Sequence, residues 1–232
     1  MKIFYWSPFL SNIATIDSVI NSVKSIKKFD QKKEIFPYII DATGEWNEKS
    51  RKLENLNVIK LYKKKYFNFL PKGSYLKSRL SQFLIFMISF IKLKKLIQKE
   101  KPDFFVAHLI VSLPLMLFTM FNFNSKLIIR ISGTPKLNFV RKIYWTLFSK
   151  NVFIITCPTI SSYNSLKKLK IFPEQKLKIL YDPIIDIKKI LKNKKELIEN
   201  EHKNKKFILG IGRLTKQKNF DLLINFFSEI NN

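Results

Sequence analysis

Arg213, Lys216 and Lys218 place three cations within six residues, between a short apolar run, Phe207-Ile208-Leu209, and a segment with one apolar face. The apolar run is too short for a helix and is bounded by glycine, so it is expected to be a buried strand. Gly210 and Gly212 open the turn to backbone angles or close approaches that a side chain would block. Phe220, Leu223, Ile224, Phe227 and Ile230 then fall on one helical face, with Asn219 placed to cap the helix and Asp221 in its first turn. Cations beside free N–H groups at a helix start suit a phosphate or diphosphate; the same residues would also serve as a solvated basic turn. The segment lacks the third glycine of a dinucleotide fingerprint and the Gly-Lys-Ser/Thr of a P-loop.

Earlier in the chain the residues that could do chemistry are sparse. His108 follows an apolar strand and is placed to face a cleft, as a hydrogen-bonding group or as a catalyst. Arg130 lies in an otherwise buried-looking strand, so it must find a partner or reach that cleft. Ser132-Gly133 follows, a turn closed by Pro135. Cys157, the single cysteine, reads as core packing; it excludes an internal disulfide framework, and with two histidines it gives no zinc site. No metal is expected, and no residue is assigned the chemical step.

These residues need a scaffold. Apolar strands are expected at 2–6, 35–41, 58–61, 103–107, 126–131, 152–156 and 177–181. Helices are expected at 14–29, 47–56, 75–100, from about 111, 137–149 and 161–169. This alternation describes an α/β fold: a doubly wound, mostly parallel Rossmann-like sheet with ligands at the C-terminal strand ends. Pro37 is expected to keep the second strand irregular or near an edge. Residues 104–123 carry no charged group other than His108 and could be mistaken for a membrane span, but Pro114 falls in the middle. The α/β reading cuts the segment into a strand, a loop at His108 and a helix. Residues 1–183 make the first domain, 184–205 a charge-dense linker, and 206–232 the opening of a second, Rossmann-like domain.

At 232 residues and 46% hydrophobic content the chain can bury one good core. The net charge of +26 has a bland source in the over-use of Lys, Asn, Ile and Phe, and a functional one in attraction to anions. Its distribution points to function: Arg51 to Lys101 carries fourteen Lys/Arg against two glutamates, interleaved with Tyr62, Tyr66, Phe67, Phe69 and Tyr75. That pattern suits an anionic membrane surface. No zinc spacing, recognition helix or aromatic RNA signature supports nucleic-acid binding. The amino terminus lacks the long apolar run and cleavage site of a signal peptide, and a reducing cytoplasm is the expected setting.

Gly212-Arg213-Leu214-Thr215-Lys216-Gln217-Lys218-Asn219-Phe220 resembles the Gly-Arg-Leu…Gln-Lys-Asn segment of family 4 glycosyltransferases, which have the GT-B fold. Arg130-Ile131-Ser132-Gly133, continuing through Pro135-Lys136-Leu137-Asn138, resembles bacterial surface-polysaccharide members. The resemblance implies sugar transfer from a nucleotide-sugar donor to a saccharide or lipid-linked acceptor, with retention and without a metal. Gly212, Arg213 and Lys218 would hold the donor diphosphate. The first domain would bind acceptor, with His108, Arg130, Ser132 and Gly133 near the cleft, at the inner face of the membrane. Ser132 stands where many members have a sugar-contacting histidine, Asp182-Pro183 where they have Asn-Pro, and Asn12-Ile13-Ala14-Thr15 replaces a glycine-rich loop. A chain ending at Asn232 would hold one strand and one helix of the second domain and would lack full activity alone. The rival reading is a non-catalytic basic protein of the membrane surface.

Overall fold

The computed structural model describes residues 1–133, 135, 137–183, 187–195, 207–212, 214, 216 and 218–230, without the side chain of Lys189. The chain divides into two units, Met1–Ile185 and Asp186–Asn232.

In the first unit, seven strands form one parallel sheet: β1 Lys2–Trp6, β2 Phe36–Asp41, β3 Asn57–Lys60, β4 Phe104–Ala107, β5 Lys126–Arg130, β6 Ile154–Cys157 and β7 Leu177–Ile179. Their order is β3-β2-β1-β4-β5-β6-β7, so the direction of winding reverses between β1 and β4. The crossovers carry α1 Ala14–Phe29, α2 Tyr75–Glu100, α3 Ser112–Met120, α4 Phe139–Phe148 and α5 Ile160–Lys168. This is the doubly wound α/β sheet expected from the alternation of strands and helices.

Side-chain alternation divides the core into two layers. Phe4, Trp6, Ile40, Phe105, Leu127, Ile129 and Ile155 face α2, α3 and α5, which bring Ile85, Leu93, Leu115 and Leu166. Ile3, Tyr5 and Ile39 face the other way, against Ile16, Val19, Ile20 and Val23 of α1 and against Trp46. Each fully buried large side chain here contributes about 1.5–3 kcal/mol. Local chemistry sets the helix starts. Ser74, Asn138 and Thr159 each accept a hydrogen bond from a backbone N–H three residues on, at 3.3, 2.9 and 3.0 Å. Pro114 sits in the first turn of α3, where its missing N–H costs nothing.

Two local expectations change. Pro37 is buried in β2, an inner strand. It is tolerated because β3 first pairs at Tyr38↔Asn57, leaving the ladder open on that side of Pro37. The helix expected at 47–56 is instead a 3₁₀ segment, Glu45–Leu53, whose backbone leaves helical angles at Lys49. No described helix is long and apolar enough to cross a membrane.

The second unit contains α6 Ile187–Asn193 and α7 Phe220–Ile230. Residues 207–211 carry no regular structure, so the expected strand is not formed there. A strand needs a neighbour for its N–H and C=O groups, and no strand of this unit is described. Asn219, the expected cap of α7, has φ 48, outside the extended region of an ordinary N-cap residue.

Candidate functional site

In a sheet wound this way, ligands approach the C-terminal strand ends where the winding reverses. That point lies between β1 and β4, and His108 occupies it. Its N–H donates to the Trp6 carbonyl at 2.9 Å, extending the ladder one residue past β4. The His108 ring is 8% exposed and lies 6.1 Å from the Tyr5 ring. Burial, and then the charge of Arg130, push its pKa down to about 3, against an opposing pull from Asp182. The imidazole is therefore neutral at physiological pH and too weak a base for efficient proton transfer. Its Nδ1 has no partner. A neutral imidazole with a spare nitrogen can hydrogen-bond a hydroxyl, which favours binding over catalysis.

Arg130, the last residue of β5, is 4% exposed. It both finds a partner and reaches a cavity. Its Nη2 lies 2.5 Å from Asp182 Oδ1, and its Nη1 makes a long contact, 3.5 Å, with Thr156 Oγ1. Ser18 of α1 donates its hydroxyl to the same Asp182 oxygen at 2.5 Å. Asp182 thus ties β5 and α1 to the segment after β7. Arg130 Nε has no partner. His108, Arg130, Thr156 and Asp182 form the polar part of a cavity of about 590 Å³ on the α1 side of the sheet. Tyr5, Val106, Ile128 and Ile154 supply apolar wall. Because Asp182 neutralises Arg130, this cavity offers hydrogen bonds more readily than free positive charge. Cys157 is buried, and burial raises its thiol pKa, which suits packing rather than attack.

The structure brings His108 and Arg130 together but leaves Ser132 and Gly133 apart from them. Both are exposed beyond β5, and neither lines the cavity. A Cβ at Gly133 would meet open space at an ordinary φ, so no steric demand selects glycine there.

A second polar cluster lies past the C-terminal end of β2. Asp41 Oδ1 accepts the Gly44 N–H at 2.7 Å. Glu45, fully buried, accepts from Ala42 N at 3.1 Å, Thr43 N at 2.7 Å and Thr43 Oγ1 at 2.9 Å. Burial, then the charge of Asp41 and a hydrogen bond with it, push the Glu45 pKa up to about 8. Two buried carboxyl groups in contact cannot both ionise, so Glu45 holds the proton. The sequence analysis missed this pair. Its signal was available: two acids four residues apart, flanking Ala-Thr-Gly at a strand end. Among the described residues, no group of three or more His, Cys, Asp or Glu could hold a metal ion.

In the second unit, Gly210 and Gly212 permit close approaches. A Cβ at Gly210 would lie 2.7 Å from the Phe220 ring, and one at Gly212 would lie 3.3 Å from the Lys218 side chain. Lys218 therefore folds back over Gly212. Leu214, Lys216, Phe220 and Asp221 line a cavity of about 220 Å³ at the start of α7. Arg213 lies outside the described residues.

No protein-family model and no curated protein matches the chain. Solved structures do match. A UDP-GlcNAc 2-epimerase from Neisseria meningitidis bound to UDP-GlcNAc aligns over 84% of this chain and 50% of its own, with 14% identity and TM-score 0.54. A glycosyltransferase from Rickettsia africae aligns over 83% of this chain and 48% of its own, with 15% identity and TM-score 0.53. S. aureus MnaA, solved with UDP, aligns over 88% and 48%, with 14% identity and TM-score 0.50. The chain spans about half the length of these structures. At such identities the likeness is one of fold: an α/β, mostly parallel Rossmann-like sheet consistent with a GT-B-type amino-terminal domain.

Proposed function

We propose that this chain supplies the acceptor-side domain and the opening donor-phosphate segment of a retaining glycosyltransferase. It would move a sugar from a nucleotide-sugar to a saccharide or lipid-linked acceptor in cell-surface polysaccharide synthesis. The observation that carries the reading is the order of parts: a seven-stranded parallel sheet wound β3-β2-β1-β4-β5-β6-β7, followed by Gly212-to-Phe220 with its cations. The fold shared with structures that hold UDP-GlcNAc and UDP supports a nucleotide-sugar partner.

In this reading Arg213 and Lys218 neutralise the leaving diphosphate, the task a divalent cation performs elsewhere. In this reading the Lys218 side chain, which folds back over Gly212, keeps its cation with the turn that would hold the diphosphate. His108 and the Arg130–Asp182 pair would shape the acceptor side, with the neutral imidazole offering a hydrogen bond to a sugar hydroxyl. Ser132 and Gly133 would reach acceptor or donor from the exposed loop after β5. The protein would work in the cytoplasm, at the inner face of the membrane.

The test is calorimetric titration of the chain with UDP, GDP and their sugar conjugates. Binding that requires the diphosphate and weakens about ten-fold or more in Lys218→Ala supports the reading, the loss expected for one charge-assisted contact. Binding by none of the nucleotides, or equal binding by Lys218→Ala, overturns it.

A further inference from the structure

Helix α2 has two faces. Its inner row, Ser81, Ile85, Ser89, Leu93 and Ile97, is buried against the sheet. Its outer row, Leu76, Leu80, Phe83, Met87 and Ile91, is at least 50% exposed at every position. The outer spacings of four, three, four and four residues keep these side chains on one stripe, about 22 Å long at the ordinary helical rise. Exposed Phe69 and Tyr75 precede it. A soluble helix normally turns charged residues outward, and a continuous apolar stripe in solvent marks a contact surface.

The charges around the stripe identify the contact. Exposed Lys77 and Arg79 flank its first turns, and exposed Lys92 and Lys95 follow its last residue. From Tyr75 to Lys99 the helix carries no acidic side chain, and Glu100 is the first. Apolar side chains between two sets of cations match a bilayer surface, where the apolar groups enter the acyl boundary and the cations meet anionic headgroups. A second copy fits poorly. Pairing two such faces would oppose cation to cation on a chain of net charge +26. The inner row remains held by the core, so the helix would lie along the membrane rather than cross it.

We propose that the outer stripe of α2, Leu76 to Ile91, is the surface by which this protein docks on an anionic lipid bilayer. The proposal rests on the membrane-surface part of the functional reading and assigns it to one face of one helix. It is independent of which sugar is moved.

The experiment compares co-sedimentation of the 232-residue chain with vesicles of equal parts phosphatidylcholine and phosphatidylglycerol and with vesicles of phosphatidylcholine alone. The expected result is strong binding to the first, weak binding to the second, and about a ten-fold loss in Phe83→Gln/Met87→Gln. That double variant leaves charge unchanged. Phe29→Gln, which alters an even more exposed phenylalanine at the end of α1 on the opposite side of the sheet, is expected to bind as the parent does. Circular dichroism confirms that each variant is folded. Phe83→Trp gives a direct readout, a blue shift of tryptophan emission on the mixed vesicles beyond any shown by the parent. Equal binding to both vesicles, parental binding by Phe83→Gln/Met87→Gln, an equal loss in Phe29→Gln, or no added shift in Phe83→Trp overturns the proposal. So does a concentration-dependent dimer that the double variant abolishes while vesicle binding stays. UDP titration on the same preparation keeps the two readings apart. Vesicle binding without UDP binding removes the donor reading alone, and UDP binding without vesicle binding removes the docking surface alone.

Discussion

Two buried polar clusters sit near the C-terminal ends of one sheet and solve the same problem in opposite ways. At β5, Arg130 is buried with a carboxylate, Asp182, at 2.5 Å, and opposite charges cancel. At β2, Glu45 is buried with another acid, Asp41, and the pair is tolerated because Glu45 keeps its proton. The first solution needs a partner far away in sequence. The second needs only two acids four positions apart and the proton supply of the solvent. The ion pair should therefore respond chiefly to mutation, and the acid pair should respond to pH as well.

The largest expected effect comes from Asp182→Ala, which leaves Arg130 charged, buried and unpaired. Urea denaturation should show a loss of about 3–5 kcal/mol. Replacing both partners, as Arg130→Met with Asp182→Leu, should recover most of that loss. If the double variant is as unstable as the single, the pair does more than cancel charge.

Glu45→Gln tests the acid pair. The folded pKa of Glu45, about 8, is above its ordinary 4.5, so the fold holds a proton that the unfolded chain releases between those values. This contribution to stability is complete below about pH 4.5, falls as pH rises toward 8, and is then flat. Glutamine cannot ionise, so the variant should lose this decline, worth a few kcal/mol across the window. Thermal melts from pH 4.5 to 9 measure it; an unchanged slope would remove Glu45 as the proton holder.

His108 carries the opposite sign. Its folded pKa, about 3, is below its ordinary 6.5, so its contribution is complete above about pH 6.5 and is lost as pH falls toward 3. His108→Gln should be less acid-sensitive than the parent, by about 2 kcal/mol at pH 5. Melts at pH 7 and pH 5 give the difference, and an identical acid loss in both proteins contradicts a buried neutral imidazole.

The smallest effect belongs to an exposed pair of the same kind as Arg130–Asp182. Lys52 and Asp17 lie 2.6 Å apart with half of each side chain in solvent. Lys52→Ala should change urea stability by no more than about 0.5 kcal/mol. A larger loss would mean that proximity, not burial, sets the value of these pairs.

Much of the fold was legible in the sequence because strand and helix patterns are local. The segment 104–123 illustrates this. Apolar throughout, it was cut at His108 into a strand and a helix, and β4 and α3 fall on either side of His108. The starts of α2, α4 and α5 carry their own capping side chains. The candidate site was legible only as separate residues. His108 and Arg130 were named, yet Asp182, the partner of Arg130, was noted only as standing where the resembled family has asparagine. The buried strand expected at 207–209 is not formed, for the same reason in reverse, since local apolarity does not supply a neighbouring strand.

What the sequence determined by itself was the alternation of seven strands with their helices, the caps of α2, α4 and α5, the charge, and the cations between Gly212 and Phe220. Each depends on residues a few positions apart, whose steric and hydrogen-bonding preferences act before the chain closes. The tertiary structure alone decided the rest. It placed β1 beside β4, which put His108 where the winding reverses, and it laid β6 and then β7 in order beyond β5, which put Arg130 within reach of Asp182, 52 residues away. It buried Glu45 against Asp41 and so fixed its proton. It also chose which half of α2, apolar nearly all round in its middle, would enter the core, leaving Phe83, Met87 and Ile91 outside. Burial depends on what the rest of the chain brings to a residue, and a one-dimensional pattern does not contain that information.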